Sequence, residues 1–304
     1  MKTIVAGSLN IDFVIPIDRF PGPGETVLGG NLSFTPGGKG ANQAVAAAKL
    51  GMHTLMAGAI GNDAYGKQVR ESLESSGVDT TLLVTQAATT GVALIHLTSD
   101  GENRIIVCPG ANEHFEVSEQ LRAQLATADA LMLQLEIPID RVAKLIDLAN
   151  EHHVPVFLDP SPVREAAVAL LSKVDWVMPN EHEIEWMTGQ SVQDVKTARI
   201  AIAKLLQLGA KRVVLKMGPL GAMVGDESGF QHVPGFQVNA VDTTAAGDGF
   251  GAGFVTEWVQ TGDVHRALRY GNAVGALVTT KVGAQVSLPS REAVSALLQD
   301  PSPT

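Results

Sequence analysis

Residues 241–253 read Val-Asp-Thr-Thr-Ala-Ala-Gly-Asp-Gly-Phe-Gly-Ala-Gly, a run in which side chains shrink to almost nothing around one carboxylate. Ala245, Ala246 and Gly247 leave backbone N–H groups free to close around an anion, and a helix read over 254–258 would bring its positive end to them. Asp248 would repel a phosphate unless it takes a proton from the attacking group, so the arrangement suggests phosphoryl transfer to a hydroxyl. The same run also fits a small-residue helix start packed tightly on a neighbour, with Asp248 as an N-terminal charge.

Other clusters carry two readings each. Pro36-Gly37-Gly38-Lys39-Gly40-Ala41-Asn42-Gln43 precedes an Ala-rich helix over 44–50 and permits close approach of a ligand to the backbone; it also makes an ordinary tight turn. It is not a phosphate-binding P-loop, because Ser33 stands where the first glycine is needed and Gly40 replaces the Ser or Thr that would hold magnesium. Asn10 and Asp12, just past a strand over 3–6, can grip vicinal hydroxyls or serve as turn residues. Asn180 and Glu183 open a helix over 184–188, where they can cap it or offer oxygens to a hydrated magnesium ion. Lys216-Met217-Gly218-Pro219-Leu220-Gly221 closes a strand in a turn able to cover a nucleotide, as other strand-to-strand loops would be. The eight histidines have no metal-binding spacing, and Trp176, Trp186 and Trp258 are expected in the core or at its edge.

These residues need a scaffold, and the rest of the chain predicts one. Short β-branched runs alternate with helical periods: strands over 130–135, 154–158, 174–178 and 212–216, helices over 139–152 and 195–208. That alternation is the mark of an α/β fold with a largely parallel central sheet flanked by helices. Glu136, Asp159, Asn180 and Gly218 follow directly on strands, so they should line one cleft beyond the strands' carboxyl ends. Two segments break the rhythm, at about 12–35 and 89–108; the second reads as a hairpin turning at Asp100-Gly101. Together they predict a small β-sheet standing off the main one, either a lid over the cleft or fixed edge hairpins. The tail at 300–304 is expected to fray.

Composition bounds the function. The 304 residues are 45% hydrophobic and 18% charged, enough for one large globular domain over 1–304. The net charge of −10 comes without a basic block, which argues against nucleic acid as a partner. No run approaches the roughly 18 apolar residues of a membrane span. Cys108 is the sole cysteine, expected as a small buried side chain; with no pair to oxidise, a reducing, cytoplasmic setting is expected.

From residues 7–12 (Gly-Ser-Leu-Asn-Ile-Asp) to 283–289 (Gly-Ala-Gln-Val-Ser-Leu-Pro), nearly the whole chain resembles the ribokinase-like carbohydrate kinases, the family that includes ribokinase, fructokinase and adenosine kinase. The runs at 37–44 and 242–248 are similar to its two most specific motifs. The resemblance implies the family fold with a β-sheet lid, and transfer of the γ-phosphoryl of ATP to a sugar hydroxyl, with the 5-hydroxyl of D-ribose the expected acceptor. By resemblance Asp248 is the catalytic base, and Ala245, Ala246 and Gly247 form the anion hole. Asn10, Asp12, Gly38, Lys39, Asn42 and Glu136 would hold the sugar. Asn180, Lys216, Gly218, Gly221, Gly247 and Asn272 would lie along the ATP site. Asn180 and Glu183 would serve Mg²⁺ indirectly. Asp242, Thr244, Val278, Lys281, Gly283 and Ser287 would ring a monovalent cation, K⁺. A homodimer clasped through the lids is also implied. Gly249, Gly251 and Asn272 depart from the family pattern and are expected to alter packing and nucleotide fit.

Rival readings are a kinase of the same fold acting on deoxyribose, another sugar or a nucleoside, and a sugar-binding regulator without activity. A dinucleotide-dependent oxidoreductase lacks its Gly-x-Gly-x-x-Gly signature here.

Overall fold

Ile4 and Val5 are neighbours in the first strand, β1 (Lys2–Ala6), and both are fully buried. Adjacent strand residues point to opposite faces, so both faces of this strand must be covered. In register, Ile4 meets Leu55 and Leu131 in one core, while Val5 meets Met56 and Met132 in the other. The sheet therefore lies between two apolar layers.

The computed structural model describes residues 1–98 and 102–299. The turn expected at Asp100-Gly101 and the tail from Asp300 lie outside the described residues. The further strands are β2 (Asn10–Ile17), β3 (Ser33–Gly37), β4 (His53–Gly61), β5 (Leu83–Gln86), β6 (Gly91–Thr98), β7 (Asn103–Cys108), β8 (Ala130–Leu133), β9 (Val156–Leu158), β10 (Trp176–Val177), β11 (Val213–Lys216), β12 (Ala222–Asp226) and β13 (Gly229–Val233). Nine of them form the central sheet in the order β13-β12-β11-β10-β9-β8-β1-β4-β5. Pairing is parallel from β5 through β11 and antiparallel at β12 and β13. Four others make a separate sheet, β3-β2-β6-β7, in which the two middle strands run parallel. This small sheet draws on both segments that break the α/β rhythm, beginning at Asn10 rather than Asp12.

The helices are α1 (Lys39–Lys49), α2 (Ala64–Ser75), α3 (Glu119–Leu125), α4 (Ile139–Glu151), α5 (Glu165–Val168), α6 (Glu181–Thr188), α7 (Val195–Gln207), α8 (Ala246–Thr261), α9 (Val264–Thr279) and α10 (Arg291–Gln299). Those predicted over 139–152 and 195–208 end one residue early. Those predicted over 44–50, 184–188 and 254–258 begin too late, because small residues in the first turns of α1 and α8 and the polar Glu181-His182-Glu183 of α6 supply no apolar period. The α8 difference matters most: the helix starts inside the small-residue run, so Asp248 lies in its first turn.

Aromatic packing seats α8 on the sheet. Trp176 and Phe254 meet edge to face at 5.2 Å between ring centroids, and Phe157 and Trp258 at 5.4 Å. Trp186 is instead 52% exposed on α6, a correction to its expected core position; its neighbours Ile184 and Met187 take the buried face. Cys108 is likewise exposed, at the end of an edge strand of the small sheet. Among the described residues, no helix is long and apolar enough to cross a membrane.

Candidate active site

Helix α8 begins on Ala245, whose φ of 62° puts a non-glycine residue in the left-handed region. That conformation costs about 1–2 kcal/mol. It is tied down by a turn in which the Ala246 N–H donates to the Thr243 carbonyl at 3.1 Å. Of the three residues expected to form the anion hole, Ala246 directs its N–H to this turn. Among the described residues, the N–H groups of Ala245 and Gly247 donate to no other backbone carbonyl, while the Ala245 carbonyl accepts from the Gly249 N–H at 2.8 Å.

One turn into α8, Asp248 is buried and faces α1. Asn42 Nδ2 donates to its Oδ2 at 3.0 Å, and Gln43 Nε2 to its Oδ1 at 3.2 Å, so two consecutive amides straddle one carboxylate. Burial pushes the Asp248 carboxyl up to about 6; Lys39 opposes the shift, Asp159 adds to it, and both amides oppose it.

Beside Asp248 opens a cleft of about 550 Å³, lined by Asn180, Lys216, Gly218, Gly221, Gly247 and Asn272. All six residues expected along the nucleotide site thus share one cavity. Lys216 Nζ donates to Asp159 Oδ1 at 3.2 Å and stands close over Gly247, where an added Cβ would lie 3.6 Å from it. Burial works against the Lys216 charge, but Asp159 and Glu183 outweigh it and hold the ammonium above its usual range. Asn272 Nδ2 donates to the carbonyls of Val233 and Pro234 at 3.0 and 3.1 Å, bracing the cleft wall.

Asn180 and Glu183 close a capping box at the start of α6. Asn180 Oδ1 accepts from the Glu183 N–H at 2.9 Å, and Glu183 Oε2 accepts from the Asn180 N–H at 2.8 Å. Both also border the cleft, so the structural and functional readings coexist. Among the described residues, no three His, Cys, Asp or Glu gather closely enough to hold a metal directly. A magnesium ion here would keep waters and meet Glu183 through its remaining oxygen, which suits the ion's preference.

On the other side of Asp248 lie Asn10, Asp12, Gly38, Lys39, Asn42 and Glu136. Glu136 Oε2 accepts from the Ser8 hydroxyl and from the Lys39 N–H, at 3.3 Å for the latter. Gly38 has φ 90°, and a Cβ there would lie 2.9 Å from Asn10 N, so only glycine lets α1 start this close to β2. Burial, then the charges of Glu136 and Asp248, push the Asp12 carboxyl up to about 7. Asn42 keeps Oδ1 buried without a partner among the described residues, an acceptor left for a hydroxyl. Burial works against the charge of Lys39, but Asp248, Asp159, Glu136 and Glu183 raise its ammonium well above its usual range. Its side chain also lines the cleft, so Lys39 and Asp248 stand at the junction of the two compartments.

Sequence reasoning missed four supports. Asn112 Nδ2 donates to Asn10 Oδ1 at 2.9 Å, and nothing in the run around it signals that contact. Gln43 was visible inside the glycine-rich motif, and Asp159 as a polar strand end. Gln134, which donates to Gln43 Oε1 at 2.6 Å, was read only as strand.

The loops expected to ring a monovalent cation are brought together. Asp242 Oδ1 accepts from the Thr244 N–H and hydroxyl at 2.9 and 2.7 Å, and its Oδ2 from the Gly283 N–H at 2.8 Å. Burial would raise the Asp242 carboxyl, but the bonds from Gly283 and Thr244 hold it below the usual range. The Val278 carbonyl accepts from the Lys281 N–H at 3.3 Å, and Ser287 Oγ donates to the Ala284 carbonyl at 2.7 Å. An ionised carboxylate among folded-back carbonyls fits a monovalent cation. None of these six residues borders the cleft.

Residues 2–291 match the family model for pfkB family carbohydrate kinases. The chain is 40% identical to a ribokinase from Haemophilus influenzae over 295 residues, 96% of each chain. It is 36% identical to a deoxyribokinase from Salmonella typhi over 296 residues, 96% of this chain and 97% of that one. Among solved structures, that of Arabidopsis thaliana ribokinase complexed with ribose and ATP superposes with a TM-score of 0.92 at 32% identity, covering 98% of both chains.

Proposed function

The chain belongs to the pfkB family of carbohydrate kinases, and on that premise we propose that it phosphorylates D-ribose at the 5-hydroxyl with ATP, giving ribose 5-phosphate and ADP. The observation that carries this reading is the place of Asp248, a buried carboxylate at the join between a nucleotide-sized cleft and a compact group of Asn, Asp and Glu side chains. As a carbohydrate kinase the enzyme moves a phosphoryl group to an alcohol oxygen.

The ionised Asp248 accepts the hydroxyl proton as the sugar oxygen bonds to the γ-phosphorus and the bond to the β,γ-bridging oxygen breaks, releasing ADP. Lys216 and the donors at the start of α8 steady the charge on the transferring oxygens. Asn10, Asp12, Asn42 and Glu136 orient the sugar. Asn180 and Glu183 would hold a hydrated magnesium ion, which would supply positive charge against the phosphates. Asp242 and the carbonyls of the loops at 278–287 would hold a potassium ion, whose charge would help fix the backbone leading into α8. The small sheet closes over the sugar as a lid and keeps out water, which would otherwise compete as acceptor. Its exposed Phe34, Ile105, Ile106 and Val107 support pairing of two copies through the lids. The single cysteine, exposed and with no disulfide partner, supports a reducing cytoplasmic location.

Similarity to the deoxyribokinase favours 2-deoxyribose as the second reading. ADP formation measured against ribose, deoxyribose, fructose and adenosine, with and without potassium, decides between them. Ribose with potassium is expected to give the highest kcat/KM, and a preference for any other acceptor rejects ribose as the substrate. Asp248→Asn should lower kcat by roughly 10²–10⁴.

A further inference from the structure

We infer that Gln43, its amide held in one orientation by Gln134, is a positioning residue that keeps Asp248 ionised and aimed at the acceptor. This rests on the reading of Asp248 as the base.

A glutamine amide has a donor edge and an acceptor edge of nearly the same size, so its effect on a neighbouring charge depends on which edge faces it. Two carboxylates face Gln43. Its Nε2 lies 3.2 Å from Asp248 Oδ1 and 3.2 Å from Asp159 Oδ2, and only this orientation gives both a donor. Reversed, the amide would present its oxygen to two anions. Gln134 blocks the reversal by donating to Gln43 Oε1 at 2.6 Å.

The lock has a cost that identifies it. Gln134 is fully buried just past the end of β8, and its own Oε1 has no hydrogen-bond partner among the described residues. That oxygen packs against Gly7, where any Cβ would overlap it. An orphaned buried acceptor is destabilising, because it gives up water without gaining a donor. Turning Gln134 around would satisfy that oxygen only by turning Gln43 as well, moving the mismatch onto Asp159 and Asp248.

The charges facing Asp248 explain why the donor matters. Lys39 on α1 favours its charge and Asp159 past β9 opposes it, while Asp12 on β2 couples to it with a carboxyl itself pushed up; Lys216 at the end of β11, Glu136 past β8 and Glu183 on α6 act one step away, on Lys39 or Asp12. Burial and a neighbouring carboxylate thus work against the Asp248 charge, and the neutral amide donors add to Lys39 in favouring it.

The test is the pH dependence of kcat/KM in Gln43→Met and Gln134→Met, with thermal unfolding and near-UV circular dichroism to establish that each folds. Loss of a donor to the charged form moves the acid limb to higher pH, expected by about half a unit or more. kcat should fall roughly tenfold or more, with a smaller change in KM, as aim is lost. Asp159→Asn removes a like charge and moves the limb to lower pH. A packing role would lower stability and leave the limb in place. Folded Met variants with the wild-type limb overturn the inference; should neither fold, an Asp159→Asn limb that does not move downward does so. Asp248→Asn separates this from the underlying reading. Lost turnover there with unmoved limbs refutes the positioning alone, whereas near-normal turnover removes Asp248 as base.

Discussion

Asp12 illustrates how the acceptor end trades stability for recognition. Burial, Glu136 and Asp248 all push its carboxyl upward, to about 7 from an unfolded value of 3.8. The native state therefore holds a proton that the unfolded chain has released across that interval, so stability falls as pH rises from about 4 to 7. Asp12→Asn cannot ionise, and at pH 8 the ligand-free variant should be more stable than the wild type by on the order of 1 kcal/mol or more, with weaker sugar binding. Thermal unfolding at several pH values checks this: the advantage must narrow as pH falls towards 4, and a constant advantage would attribute it to packing. Asp12, like Asp248 and Lys39, was legible in the sequence because residue type and a short local motif announce it. Gln134 and Asn112 carry no such signal, and the roles of Gln43 and Asp159, though their positions stand out, depend on partners far along the chain. No spacing along the chain encodes which edge of an amide faces a charge.

At the level of elements, α8 was the hardest to delimit and carries the most chemistry. Its first two turns are Gly- and Ala-rich, so they carry no amphipathic period, yet this lack of side chains is what brings α9 close. A Cβ on Gly253 would lie 2.8 Å from Val274 Cγ2 and 3.2 Å from the Gly271 Cα. One on Gly249 would lie 2.9 Å from Val278 Cγ2, which accounts for that departure from the family pattern as tight packing. Gly253→Val should cost about 1–3 kcal/mol by overpacking, read as a lower Tm by calorimetry. An unchanged Tm would mean that α8 and α9 can separate freely. The parallel strands were legible because residues buried on both faces leave continuous apolar runs. Their pairing with distant segments, such as β1 between β4 and β8, was not written in any one of them.

For the whole molecule, the small sheet is the open end of the structure. Its edge strand β7 carries Ile105, Ile106 and Val107 in succession, each about half exposed, where a solvent-facing edge would ordinarily carry charge. Ile106→Lys should convert a lid-paired dimer to monomers in sedimentation velocity and raise the KM for the sugar. A monomeric wild type would reject the pairing. The side chains proposed to orient the sugar, Asn10, Asp12, Asn42 and Glu136, come from the first half of the chain, whereas the lining of the large cleft comes almost wholly from Asp159 onward. Lys39 enters the cleft from the first half, and Asp248 and Asp159 in the second half are met by Asn42 and Gln43. Recombination near residue 140 could therefore graft one kinase's taste in sugars onto another's ATP-handling half, with the α1–α8 contact as the seam that both parents must share.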